Sequence, residues 1–226
     1  MTNSWWNPPA TPSIEQPAAV NELLQSIGQA PVSTLDTSNP DVSIAWNTLV
    51  ATSRDVQAEG WTFNREYEIT AIRSAATESK DYILIADNEL QVDLVDNLNN
   101  KYHDGVVRTT KFNGLTQRFL YDRYQHSNTW DYNPLVNKIF YFDWEELPIP
   151  IQNFIIARAA KICSSRITGD TDQFKMLQQR EDYCRAQALE YETRQGDYSY
   201  FGVPTEETGY ISYRPAESLR RYWWLL

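Results

Sequence analysis

Cysteine, histidine, glycine and basic residues are all scarce in this 226-residue chain, and each shortage closes off a class of function. The two cysteines, Cys163 and Cys184, form no C-x-x-C pair, which removes the usual redox and zinc motifs. If the helical segments that carry them form a hairpin turning near Gly169, Cys163 comes level with Met176. Cys184 then lies about two turns further along, beyond disulfide reach. The two histidines, His103 and His126, lack H-x-x-x-H or H-E-x-x-H spacing and read as exposed loop residues, so no metal is expected. With 8 glycines and no Walker loop, G-x-G-x-x-G or G-x-S-x-G, nothing is supplied to cradle a phosphate or seat a nucleophilic serine, and no cofactor is expected. Lys and Arg number 20 against 30 Asp and Glu, a net charge of -10. Gripping a nucleic-acid duplex would require those few cations to be sorted onto one face. Apolar runs such as residues 154–157 fall far short of the ~20 residues that span a bilayer. The first nine residues carry no basic residue and no apolar stretch of secretion-signal length, so the expectation is a soluble protein.

Aromatics, by contrast, are plentiful: 8 Trp and 14 Tyr, types favoured at interfaces. They punctuate a chain whose periodicity changes twice. Residues 1–16, with Pro8, Pro9, Pro12 and the pair Trp5-Trp6, read as an extended arm. Pro17 then opens a helix over 17–27 with Val20, Leu23, Leu24 and Ile27 on one face and Gly28 as its stop. Asn39 is placed to cap a second helix, 40–59, whose apolar face is Val42, Ala45, Trp46, Leu49 and Val56 and which Gly60 ends. Segments 61–71, 82–86, 90–95, 105–110, 116–121 and 138–144 are short, rich in β-branched and aromatic residues, and separated by turns, which predicts an antiparallel sheet. Leu90, Val92 and Leu94 should share one face of it. Helical spacing returns over 148–167 through Ile151, Phe154, Ile155, Ala159 and Ile162, and again over 171–195. Asp170 and Gln173 predict a capping box there, and Phe174, Leu177, Glu181, Cys184, Ala188 and Tyr191 a packing seam interrupted by one charge. The fold class is therefore α+β: a four-helix bundle with an inserted antiparallel β region and extended arms at both ends. In segments, 1–16 is an N-terminal arm, 17–60 with 146–196 the helical bundle, 61–145 the β insertion and 197–226 a C-terminal arm.

Catalytic candidates are few. Asp143 with Glu145 and Glu146 has the residue types of a glycosidase pair, yet thirty carboxylates generate such neighbours by chance, and acidic residues before the helix at Pro148 suit its N-terminal dipole. Tyr102, Trp130 and Tyr132 have the chemistry to stack on sugars or to anchor a sheet, which leaves a carbohydrate-binding module of a phage tail or surface protein as the alternative reading. The terminus Arg220, Arg221, Tyr222, Trp223, Trp224, Leu225, Leu226 would hold several hundred square ångströms of apolar surface in water as a free tail. Its residue types are those of interface hot spots, so it is expected to dock on another subunit or partner.

Two stretches carry a family resemblance. Val20-Asn21 through Leu24, Ile27-Gly28, Pro31-Val32 and Leu35 resemble the opening of the tail tubular protein A family, head-to-tail adaptors of short-tailed bacteriophages. Gly60, Trp61, Thr62, Phe63 and Asn64 are similar to that family's Gly-Trp-Thr-Phe-Asn segment, and residues 148–166 to the helix after its β region. The likeness covers roughly residues 16–195, is poor between 67 and 137, and does not extend to the first 16 residues or the tail after Gly202. It implies a virion protein of the head-tail junction, made in the host cytoplasm, without enzymatic activity. As a homo-oligomer it would form a dodecamer ring between the portal protein and the tail nozzle protein. Such a ring would anchor a tail fibre and let genome DNA pass through without specific binding. Net acidity suits that passage, since every neutralised phosphate would add retention.

Overall fold

The computed structural model describes residues 16–73, 81–95, 103–112 and 115–196. Four helices are present, α1 (Gln16–Ser26), α2 (Pro40–Ala58), α3 (Ile149–Ile167) and α4 (Thr171–Gln195). Between α2 and α3 run β1 (Arg65–Thr70), β2 (Leu84–Ile85), β3 (Glu89–Leu94), β4 (Gly105–Phe112), β5 (Leu115–Asp122) and β6 (Leu135–Phe140), then a 3-10 turn, Trp144–Glu146. The protein is thus α+β, as its periodicities predict. None of the described helices is long and apolar enough to cross a membrane.

Local chemistry accounts for the helix ends. Asn39 caps α2 by accepting from the Asp41 amide at 3.0 Å, and Pro40 occupies the first turn where no amide donor is needed. Gly28 and Gly169 adopt the left-handed φ values, 78° and 66°, that follow a helix stop. One expectation fails at α4. Asp170 does cap it, accepting from the Asp172 amide at 2.9 Å, but Gln173 closes no box. Its amide instead donates to the Ser26 carbonyl and ties the start of α4 to the end of α1.

α3 is the hub of the helical layer, packed against α1, α2 and α4, while α1 also meets α2. Three neighbours explain why α3 buries most of its circumference, from Ile151, Phe154 and Ile155 through Ala157, Ala160 and Cys163. The seam expected on α4 is present. Glu181, Cys184 and Ala188 are buried, Leu177 and Tyr191 half-buried, and only Phe174 at its start is exposed. Lys161 forms an ion pair with the interrupting Glu181, and Arg158 stands 3.9 Å from its other oxygen, so the charge enters the interface with its partners. Both cysteines are free and buried.

The strands form two sheets rather than the one expected. β6 lies between β1 and β3, and β5 between β2 and β4, with every pairing antiparallel. Residues 61–64, predicted as strand, make a turn, and the last strand covers 135–140 instead of 138–144. In β3 the predicted alternation holds over 90–94, with Val92 buried, Leu90 and Leu94 half-buried and Gln91 and Asp93 exposed, but Val95, expected with Gln91 and Asp93, is half-buried, and Glu89 is buried where the register shifts. The sheets approach at Gly105, where an added Cβ would lie 2.8 Å from the Leu94 side chain and 3.1 Å from Leu120. Around that contact Ala71, Ile83, Ile85, Val92, Leu120, Trp130 and Val136 make a second, smaller core.

Candidate functional site

The helical layer joins β1 and β6 at the segment Gly60 to Asn64, and every residue of it has an assigned task. Gly60 sits at φ 75°, a backbone conformation that favours glycine, and a Cβ there would crowd the ends of the Arg65 and Ile139 side chains, the latter at 2.6 Å. Trp61 is buried in the helical core, its indole donating to the Val56 carbonyl at 2.7 Å and meeting the Phe154 ring edge-on at 6.2 Å. Phe63 packs on Phe142 at 6.1 Å. Asn64, 1 % exposed, accepts from the Trp61 amide at 2.8 Å and donates at 2.8 Å to both the Gln57 and Phe140 carbonyls. Gln57 completes the knot: its side chain bonds the Phe142 amide at 2.8 Å and the Phe142 carbonyl at 3.1 Å. Finally Thr62 donates its amide, at 2.9 Å, and its hydroxyl, at 2.6 Å, to Glu192 near the end of α4. Helices α2, α3 and α4 and strands β1 and β6 are thereby fastened at one place, with buried polar groups satisfied on both sides.

The second motif works similarly on a smaller scale. Asn21 on α1 grips Val32 through both backbone groups, accepting from its amide at 2.8 Å and donating to its carbonyl at 2.9 Å. The segment after Gly28 is thus folded back on α1, with Ile27, Val32 and Leu35 packed on the helical core and Pro31 exposed. These family-motif residues hold the scaffold.

The sheet region has a polar knot of its own. Asp122, fully buried at the end of β5, accepts from the Tyr124 and Gln125 amides at 2.8 and 3.1 Å and pairs with His103. His103 is therefore no exposed loop residue: its ring packs 5.6 Å from Trp130 and 5.2 Å from Tyr132. His126 does lie exposed. Trp130, 2 % exposed, donates its indole N–H to the Leu120 carbonyl at 2.9 Å, which makes it a core anchor and withdraws it as a sugar-stacking platform. Tyr132 is half-buried on the same cluster, where burial and then the charge of Asp122 push its hydroxyl pKa upward. Tyr102 falls outside the described residues.

Asp143, Glu145 and Glu146 are exposed on the 3-10 turn before α3, where Glu146 accepts from the Asp143 amide at 3.2 Å. That is the capping arrangement expected of acidic residues ahead of a helix. No group of three His, Cys, Asp or Glu side chains suited to a metal occurs among the described residues. The expected docking residues Arg220, Arg221, Tyr222, Trp223 and Trp224 lie outside the described residues. Of the buried polar residues in these knots, Asn64 was visible as part of a motif, whereas Gln57 and Asp122 gave no signal, because polar residues at buried positions do not register in hydropathy.

The polar side chains described at these joints hold elements of the fold to one another. A family model described as tail tubular protein matches residues 18–198, and the chain belongs to that family. It is accordingly a structural component of the phage virion tail, of a family that is generally non-enzymatic. No curated protein matches the chain.

Proposed function

We propose that the chain is a head-to-tail adaptor of the tail tubular protein A type, a ring joining the portal protein to the tail nozzle protein. The match over residues 18–198 carries this reading, because it extends through both the helical layer and the sheets. The clamp at Gly60 to Asn64 supports it. A conduit under the load of genome passage needs its two layers fixed to each other, and Asn64, Gln57 and Thr62 do that. In this proposal the helices of 17–60 and 146–196 act as a bundle forming the ring wall. The β insertion, 61–145, faces the nozzle and the tail fibre, and the arms 1–16 and 197–226 reach neighbours. A ring built by one repeated contact needs two different patches per subunit. The net charge of -10 lets genome DNA cross without being held.

Electron microscopy of the purified chain, alone and mixed with the portal of the same phage, tests the class: rings are expected at least in the mixture. Deleting residues 215–226, which removes Arg220, Arg221, Tyr222, Trp223 and Trp224, should abolish portal association in a pull-down while the far-ultraviolet helical signal stays unchanged. Undiminished association would remove the terminus from the portal contact.

A further inference from the structure

An open cleft of about 450 Å³ lies at the base of the β4–β5 hairpin, lined by Asp104, Arg108, Tyr121, Arg123, Tyr124 and His126. Arg108 is its distinctive member. The register partner of Arg108 is Phe119, which places Tyr121 diagonally across the ladder on the same face, and the guanidinium carbon stands 3.6 Å above the Tyr121 ring centroid. Elsewhere Arg73, Arg158, Arg180 and Arg194 each reach a carboxylate. Among the described residues no carboxylate pairs with Arg108, although it is exposed and adjoins Asp104, which is taken by Arg123 at 3.1 Å. Stacking covers the flat face of Arg108 and fixes its direction, while its N–H edge meets no acceptor among the described residues. That is a preorganised fork for a carboxylate. Tyr124, 66 % exposed, and His126, held at φ 54°, border the same opening.

Two arginines against one aspartate leave the cleft cationic in a chain of net charge -10. The chain itself is therefore the nearest abundant source of a matching anion. Asp104 at the rim and the long-range acidity both disfavour a phosphate backbone, and the open shape suits side chains of a polypeptide better than an enclosed small molecule. The 3-10 turn supplies such side chains. Asp143 and Glu145 project from it, exposed and in no ion pair among the described residues, and the buried Trp144 between them fixes the turn.

We propose that the Arg108–Arg123 cleft receives the acidic turn 143–146 of a second copy of this chain, with Asp143 on the free edge of Arg108. The proposal rests on the ring reading and deepens it: cleft and turn are different patches, so the contact is head-to-tail and propagates from subunit to subunit.

The test places cysteines at the cleft mouth and on the turn of one chain, Tyr124→Cys with Glu145→Cys, treats the assembled protein with a short bismaleimide, and images the same sample by electron microscopy. The buried Cys163 and Cys184 leave the parent protein as an unreactive control. A ladder of cross-linked multimers is expected. Adding Arg108→Glu should remove it, and mixing Arg108→Glu chains with Asp143→Arg chains should restore a ladder, since each chain's cleft then matches the other's turn. Rings without a ladder overturn the cleft contact and leave the ring reading intact. A ladder indifferent to charge reversal also overturns the cleft contact. Absence of both rings and ladder, with portal present, overturns both. Circular dichroism of each variant separates a lost contact from a lost fold.

Discussion

The helical layer and the sheet region are held together by different physics. Around α3 the core is aliphatic and aromatic, from Val20, Leu23 and Leu49 to Phe154 and Ile155, with Gln57 and Asn64 buried at the joint with the sheets and Thr48 and Glu181 buried between helices. The sheet core is smaller and depends on placed polar contacts: Asp122 with two amides and His103, Trp130 with a backbone carbonyl, and Lys138 with Glu89 at 2.6 Å. Apolar packing tolerates repacking but loses much energy to a cavity, whereas a buried polar knot loses its geometry when one acceptor is removed. The helical layer should therefore fail globally and the sheet region locally.

The largest expected effect breaks the first half of that contrast. Phe154 is fully buried at the crossing of α3 with Trp61, and Arg158 and Arg185 stand over its ring at 6.0 and 5.8 Å. Phe154→Ala should cost about 3–5 kcal/mol, removing the ring and leaving a cavity between helix and clamp. Thermal unfolding followed by helical circular dichroism should shift downward, and hydrogen exchange should quicken in β1 and β6 as well as in α2 and α3. Quickening confined to the helices would show that the clamp does not couple the layers.

A smaller and more local loss should follow Asp122→Ala. Three acceptor contacts disappear from a site with no water access, and the 122–127 turn, closed by the Asp122 amide on Ser127 at 2.8 Å, loses its organiser. The expected destabilisation is about 2–4 kcal/mol. Hydrogen exchange should quicken in β4 and β5 while amides of α2 and α3 keep their protection. Equal deprotection of α3 would mean that the two regions share one energetic core.

The same contrast explains what could be read in advance. The helices were legible because Val20, Leu23, Leu24 and Ile27, or Val42, Ala45, Trp46 and Leu49, repeat at helical spacing between a proline or an asparagine cap and a glycine stop. Strand existence was legible too, but not partnership. That β6 inserts between β1 and β3 is decided by contacts remote in sequence, such as Arg65 opposite Ile139, which no local pattern encodes. Trp130 was ambiguous because its turn-rich neighbours suggest exposure, and only the Leu120 carbonyl beneath it shows the reverse. His103 misled for the same reason. The clamp was half legible: Gly60 and Trp61 announce themselves by type, whereas Thr62 bonding Glu192 across the molecule does not.

The smallest effect separates the regions by pH. Burial pushes the Cys163 and Cys184 thiols upward, and both belong to the helical core. In the unfolded chain such thiols ionise near pH ~8.5. A raised native pKa means that the folded state retains protons which the unfolded state releases. This contribution is thus intact below about pH 8.5 and is lost as pH rises from there toward the native values. Tyr132 in the sheet region and Tyr141 beside Ser53 are also raised by burial, but as phenols they enter only near pH ~10. Between those limits the decline in stability should belong to the helical layer alone. Denaturant titrations at pH 7, 9 and 9.7 should show a modest fall in midpoint, reduced in Cys163→Ala relative to its own value at pH 7. Maleimide should fail to label either thiol of the native protein across the same range and label both once denaturant is added. A pH slope unchanged by Cys163→Ala, or rapid native labelling, would show that the helical interior admits water and is not the dry core that its packing implies.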